Sequence, residues 1–487
     1  MGARQISAEE VGRHSTDNDA WIVLNGVVWD ISGFAARHPG GREAIEEFFG
    51  RDGSQIYNQI HSPQLAEKFL GPEKKVGVIE TTGVNSDSDS NKDPSTSTSV
   101  EAAEQESGSH LRPALDSIIS IYEFEQIAPK RLRPKSWAYI AGATEDGLTN
   151  AANAEWYRRI WFRPRVLTGV GKANTTTTIY GRRWSSPILN SPTSSAMLAH
   201  ADGELALARA FSACGNPIII PTMSSYPLQD IVAALPEGHP FFFQLYVHSD
   251  RAEMEKLLDE VCALKPQAIL VTVDLPVMSK RETYAKYEAQ ERQSKKKLAN
   301  IPMSEKATVS AVDPTLNWDD IKYIQKRTGV PVFVKGIQTA ADARLAYEYG
   351  CAGIYISNHG GRALDTAPPS ILVLLDIQAN CPEILDHMQV FIDGGIRRGS
   401  DILKAICLGA SAVCVGRPIL YSLTYGEAGV KHAIKILEAE LDSAMQLVGI
   451  TSLDQAHPGL VTTSALDRYI YHGQDHPWAR KPQRSKL

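Results

Sequence analysis

Beyond residue 110 the chain repeats one pattern: a short apolar run, a polar cluster where the run ends, then a longer stretch with helical spacing. The runs are Pro187-Ile-Leu189, Pro217-Ile-Ile-Ile220, Phe241-Phe-Phe-Gln-Leu245, Ala268-Ile-Leu-Val-Thr-Val273, Val330-Pro-Val-Phe-Val334, Gly353-Ile-Tyr-Ile356, Val390-Phe-Ile392 and Ala412-Val-Cys-Val415. Near-continuous apolar runs mark strands buried on both faces, and their alternation with helices marks a parallel α/β architecture. Eight of them favour a closed (β/α)8 TIM barrel over an open sheet, with functional groups at the carboxyl ends of the strands. A leading helix is expected over Leu115 to Phe124.

The first 81 residues read differently, as a small α+β unit. Strand-like runs (Ala20-Trp-Ile-Val-Leu24, Gly26-Val-Val-Trp-Asp30) mix with short helical patterns over Arg42 to Phe49 and Pro63 to Phe69. An unassisted core of ~80 residues is marginal, and a bound cofactor is one way to complete it. Between the two units, Thr82 to His110 is rich in Ser, Thr, Asp and Glu, lacks aromatics and cannot bury enough apolar surface to order itself. The expected organisation is a unit over 1–81, a disordered linker over 82–110 and a barrel domain over 111–487. As a flexible coil the linker would span roughly 30 Å.

Composition narrows the function classes. A formal charge of −6 gives no basic face for nucleic acid, and no apolar run reaches the ~18 residues of a membrane span. Six cysteines without C-x-x-C spacing predict free thiols, with neither disulfides nor zinc. The amino terminus has no signal-peptide core. Ser485-Lys486-Leu487 reads as the peroxisomal address when it is the free carboxyl end, against a cytoplasmic or mitochondrial alternative. The Lys/Glu/Gln-rich stretch from Tyr287 to Ser310 reads as a solvated lid.

Three clusters carry candidate chemistry. Ile354-Tyr-Ile-Ser-Asn-His-Gly-Gly-Arg362 runs from a strand into a polar turn and delivers His359 and Arg362 together, a base beside a guanidinium. Residue chemistry alone leaves a plain strand-to-helix loop open. Asp393-Gly-Gly-Ile-Arg-Arg-Gly399 follows the seventh run and Gly416-Arg417 the eighth, offering backbone N–H groups and guanidinium forks to a phosphate. In the first unit, His38 and His61 flank an apolar helical segment and are either axial ligands of one haem iron or two unrelated surface histidines.

The wording of these motifs adds a resemblance. Ser357-Asn-His-Gly-Gly-Arg362, followed by Leu364-Asp365, resembles the active-site motif of the FMN-dependent 2-hydroxy-acid dehydrogenases and oxidases, and residues 111 to 455 resemble the flavin domains of the flavocytochrome b2 and glycolate oxidase families. That resemblance implies an FMN site of Pro192, Thr193, Ser194, Ser224, Gln244, Thr272, Lys335, Ser357, Asp393, Gly394, Gly395, Arg397, Gly416 and Arg417. It implies His359 as the base, Asp274 orienting it, Arg362 and Tyr139 holding the substrate carboxylate with Arg281 near it, and Tyr246 bonding the substrate hydroxyl. Lys335 would stabilise the reduced flavin.

Trp29-Asp-Ile-Ser-Gly-Phe34 with His38-Pro-Gly-Gly-Arg42 and the second histidine resembles the cytochrome b5 domain, implying haem b held by His38 and His61. The fusion implies an L-2-hydroxy-acid dehydrogenase, L-lactate foremost, that feeds cytochrome c or another one-electron acceptor, and the resemblance to the family implies a homotetramer. The competing reading is a peroxisomal oxidase making hydrogen peroxide. A haem carrier on an inert barrel conflicts with the His359, Asp274, Arg362 and Lys335 set. Departures from the family's wording at Ile140, Ser194-Ser195 and Tyr226 imply a more polar or reshaped substrate pocket.

Overall fold

The computed structural model describes residues 4–35, 38, 42–80, 113–296 and 312–471. The linker, residues 297–310 of the expected lid region and the carboxyl-terminal tripeptide lie outside the described residues.

Period-two alternation builds the amino-terminal sheet. Ala20, Ile22 and Leu24 of the Asp19–Leu24 strand join Trp29, Ile31, Ala35, Phe49 and Ala66 in one core, while Val23 joins Ile6, Val11 and Val28 in a second on the other face. Strand order is Gln5–Ile6, Lys75–Ile79, Val27–Asp30, Asp19–Leu24, Ser15–Thr16, and Arg51–Asp52 pairs in parallel with Asp19–Leu24. The expected helical patterns contract to Glu43–Glu46 and Leu65–Leu70, and a Ser54–Ile60 helix lies between the two histidines.

All eight apolar runs form strands of one parallel sheet: β1 (Ile188–Asn190), β2 (Ile218–Pro221), β3 (Phe241–Leu245), β4 (Ala268–Thr272), β5 (Val332–Ile337), β6 (Gly353–Ile356), β7 (Gln389–Ile392) and β8 (Ala412–Val415). The ladder runs β1-β8-β7-β6-β5-β4-β3-β2. Asn190 closes the seam: its side-chain amide donates to the Ile219 carbonyl and accepts the Ile219 N–H, both at 2.8 Å, reproducing a backbone pair. Leu189, Ile219, Phe242, Leu270, Phe333, Tyr355, Phe391 and Cys414 fill the barrel, while Ile269, Val271, Ile354 and Val390 face the surrounding helices. Burial on both faces is why the runs do not alternate. A hairpin of Thr177–Ile179 and Arg182–Trp184, absent from the sequence reading, adds Ile179 and Trp184 to the interior cluster.

Two expectations are corrected. Instead of a helix over Leu115 to Phe124 there is a 3-10 turn at Leu115–Ser117 and then a helix at Ile121–Arg131, because the Ser120 hydroxyl accepts the Tyr122 N–H and caps the later start. The first part of the expected lid, from Tyr287, lies in a Glu282–Lys296 helix, with Glu282 paired to Lys280 and Lys286. No helix among the described residues is long and apolar enough to cross a membrane.

Candidate active and haem sites

Two residues beyond each apolar interior side chain, the strand again points inward, and there the lining turns polar. Ser191, Gln244, Thr272, Lys335, Ser357 and Asp393, with Pro221 and Gly416, occupy these positions. They bond around the ring. Gln244 Nε2 donates to Thr272 Oγ1 at 2.9 Å, Lys335 Nζ donates to Ser357 Oγ at 3.3 Å, and Asp393 Oδ2 accepts from Tyr355 Oη at 3.0 Å and Ser191 Oγ at 3.4 Å.

β5 carries a bulge between Lys335 and Ile337. Gly336 sits there at φ +110°, where a Cβ would come within 2.5 Å of Asp274 Cβ. Only glycine permits that approach, and it leaves Asp274 Oδ2 3.5 Å from the buried Lys335 ammonium. Burial would raise the Asp274 carboxyl, but Lys335 and His359 outweigh it and bring its pKa to about 2.

His359 is reached through a sharp left-handed turn: His359, Gly360 and Gly361 have φ of +59°, +64° and +70°. Strain of this kind at a non-glycine residue persists only where the surroundings enforce it. His359 Nδ1 lies 2.8 Å from Asp274 Oδ1 and Nε2 lies 3.3 Å from Tyr246 Oη. Facing an ionised carboxylate, Nδ1 carries the proton and Nε2 is left as the basic atom. Burial lowers the His359 pKa, with Lys335 and Arg281 adding to it against the opposing pull of Asp274, so the ring is a neutral base at neutral pH. Tyr246 is raised by burial and by Asp274 and keeps its proton.

Beside this base lies a cationic pocket. The Arg362 guanidinium stands 5.1 Å from the Tyr139 ring centroid, and Tyr139 Oη is 3.1 Å from Ser194 Oγ. Burial would raise the Tyr139 phenol, yet Arg362 and Arg281 draw it below its usual value. Arg281 Nε is buried without a partner. An unmet buried donor is costly, and a carboxylate oxygen satisfies it.

Several of the expected site residues have protein partners. Arg362 does not present a free fork: its Nη1 donates to the carbonyls of Tyr139 (2.6 Å), Ile140 (3.1 Å) and Gly142 (2.9 Å), which the Pro134–Ala141 helix leaves without internal donors at its end. Arg417 donates to Ile140, Gly142 and Gly360 carbonyls and to Asn150 Oδ1. Arg397 pairs with Glu125 at 2.9 Å, Asp401 takes the Arg397 and Arg398 N–H groups, and Glu440 takes that of Gly399. The guanidinia and amides expected to await a phosphate therefore have protein partners, since half-buried donors find the nearest acceptors. Gly394 and Gly395 adjoin the ring, but Cβ atoms there would lie 3.1 Å from Asn153 Oδ1 and 2.1 Å from its carbonyl oxygen, so these glycines first admit the Leu148–Tyr157 helix. Pro192, Thr193 and Ser194 follow β1; Ser224 follows β2 and donates to the Pro221 carbonyl at 2.6 Å. Tyr226 donates to the Ala201 carbonyl.

The residues fit a flavin. Gln244 and the Lys335 ammonium would hold its polar ring edge, and Asp393 Oδ1, buried without a partner, suits a ribityl hydroxyl. Haem passes a geometric test: the His38 and His61 ring centroids are 6.2 Å apart. Two metal–imidazole bonds of ~2 Å, placed end to end with the ring radii added, require roughly that spacing. His61 Nδ1 has no hydrogen-bond partner, and burial first, then the charge of His38, lowers its pKa to about 4, keeping the neutral form that a metal ligand requires.

Sequence reasoning missed Ser191 and Thr222, although counting two residues on from the interior Leu189 marks the first. Thr222 offers its N–H to Gln244 Oε1 and its hydroxyl to the Gln244 carbonyl. It also missed the reciprocal amide pair of Asn153 and Asn358, bonded at 2.9 and 2.8 Å, which no local pattern announces.

The family model described as FMN-dependent dehydrogenase matches residues 128–463, and the one described as cytochrome b5-like heme/steroid binding domain matches 7–80. The chain is 35% identical over 482 residues to the L-lactate dehydrogenase (cytochrome) of Saccharomyces cerevisiae, covering 96% of this chain and 81% of the relative. It is 38% identical to glycolate oxidase 3 of Oryza sativa subsp. indica over 365 residues, 72% of this chain and 98% of that one. The solved recombinant flavin-binding domain of baker's yeast flavocytochrome b2 superposes with a TM-score of 0.69 at 34% identity, covering 80% of this chain and 99% of that one.

Proposed function

We propose, from the premise that the chain belongs to the FMN-dependent dehydrogenase family and carries a cytochrome b5-like haem domain, that it oxidises an L-2-hydroxy acid, L-lactate foremost, to the 2-oxo acid and delivers the electrons through haem b to a one-electron acceptor such as cytochrome c. The observation that carries the reading is the His359–Asp274 pair set between Tyr246 and the Tyr139, Arg281 and Arg362 pocket.

In this arrangement Arg281, Tyr139 and Arg362 bind the substrate carboxylate and so turn the hydroxyl-bearing carbon toward the ring of polar strand ends. Tyr246 donates to the substrate hydroxyl oxygen while His359 Nε2 takes a proton from the substrate. Asp274, held ionised, stabilises the imidazolium that results. FMN, when bound, supplies the two-electron acceptor. Lys335 sets a positive charge beside it. The match to an L-lactate dehydrogenase (cytochrome) over 96% of this chain, beside a match to a glycolate oxidase over 72% of it, supports the one-electron exit.

Anaerobic mixing of L-lactate with the full chain, followed by absorbance, is expected to bleach flavin first and then reduce haem. Flavin bleaching without haem reduction favours the oxidase reading; no bleaching with any short L-2-hydroxy acid defeats both. Location stands as a proposal too: import into peroxisomes, tested by whether removing Ser485-Lys486-Leu487 disperses a tagged protein.

A further inference from the structure

Among the described residues, polar contacts join the haem-binding unit to the barrel. The Ser62 N–H, next to His61, donates to the Ser225 carbonyl at 2.9 Å, and Lys68 Nζ lies 2.6 Å from Asp230 Oδ1. Each partner of the first contact is fixed from its own side. A buried carboxylate, Glu204, accepts the N–H of Ser225 at 3.1 Å and of Ala196 at 3.0 Å on one oxygen, tying the loop after β1 to the loop after β2. Across the contact, the Tyr57 hydroxyl donates to the Ser62 carbonyl at 3.0 Å and accepts the Ala66 N–H at 2.6 Å, fixing the turn that presents the Ser62 amide.

The ion pair has another character. Lys68 and Asp230 stay 46% and 37% exposed, so their attraction is screened by salt and orients more than it holds. Together a rigid main-chain seat and a weak charge pair make a contact that forms in one register and opens readily.

We infer that this contact is a breakable latch, with Lys68 and Asp230 as positioning residues that seat the haem-binding unit on the loop carrying Ser224 and Ser225. The inference rests on the proposed flavin-to-haem route. Oxidation of R–CHOH–COO⁻ to R–CO–COO⁻ releases two electrons and two protons, whereas ferric haem takes one electron on becoming ferrous. Two one-electron transfers to haem are therefore needed per turnover, and ferric cytochrome c or a similar one-electron oxidant removes the electron between them.

The test uses the full-length holoprotein with Lys68→Glu, with Asp230→Lys, and with both together. Each single variant places like charges together, so at low salt haem reduction after mixing with L-lactate should slow roughly tenfold, while flavin reduction stays within about twofold of wild type. In the oxidised protein without substrate, deuterium uptake at residues 62–66 should speed up in both single variants. The double swap should recover both properties, and ~0.5 M salt should erase the differences between variants. Single variants that match wild type in uptake and haem reduction, or a swap as slow as its parents, overturn the latch. Were wild-type haem to stay oxidised while flavin bleaches, the electron route would fall, and uptake alone would decide the latch.

Discussion

His359 is useful to the proposed chemistry because each of its ring nitrogens has one task. Nδ1 is held by Asp274 at 2.8 Å, and Nε2 faces the space beside Tyr246. His359→Gln keeps a side chain that can accept a hydrogen bond but removes the base, so flavin reduction in single-turnover absorbance should slow by at least ~10²-fold, the low end of a general-base contribution. The acid limb of kcat/KM should also lie below the usual histidine range, because burial lowers this ring and the neutral form is the active one. A limb above that range would show that Asp274 outweighs burial. At this scale much of the site was legible: His359, Arg362 and Lys335 stand where strands end in polar residues. The partners of Arg397 and Arg417 were not. Glu125 and the Ile140 and Gly142 carbonyls come from distant sequence, and which acceptor a guanidinium reaches is decided by packing.

Among elements, the turn after β6 is the most demanding. Gly361 holds φ +70°, and a Cβ would lie 2.6 Å from the backbone N of Asn150. Gly361→Ala should therefore cost about 1–3 kcal/mol or more in urea unfolding and displace His359, lowering activity beyond the loss of folded protein. The eight strands were readable because burial on both faces leaves unbroken apolar runs. The Ile121–Arg131 start was not, because the Ser120 cap competes with a helical pattern beginning earlier. In the amino-terminal unit, the lowered pKa of His61 has a defined sign. Below its ordinary value near 6.5 the unfolded chain takes up a proton that the folded ring refuses until about pH 4, so stability is lost as pH falls through that window. Haem-free protein should show this decline in thermal melts between about pH 6.5 and 4; a flat profile there contradicts the neutral imidazole.

As a whole, the molecule pairs a two-electron site with a one-electron site. If the two are separate modules, His38→Ala should abolish six-coordinate haem in the absorbance spectrum while flavin reduction by substrate proceeds at the wild-type rate. Equal loss of both would mean that the units depend on each other to fold. Both units could be read from sequence, since each carries a long motif of its own; the Ser62–Ser225 and Lys68–Asp230 contacts could not, since neither pair has a local signature. The most direct test of the whole account is the product balance in air with excess ferric cytochrome c and L-lactate. Electron exit through haem b predicts two ferrous cytochromes per 2-oxo acid and little peroxide. One hydrogen peroxide per 2-oxo acid, with cytochrome c left ferric, would contradict it.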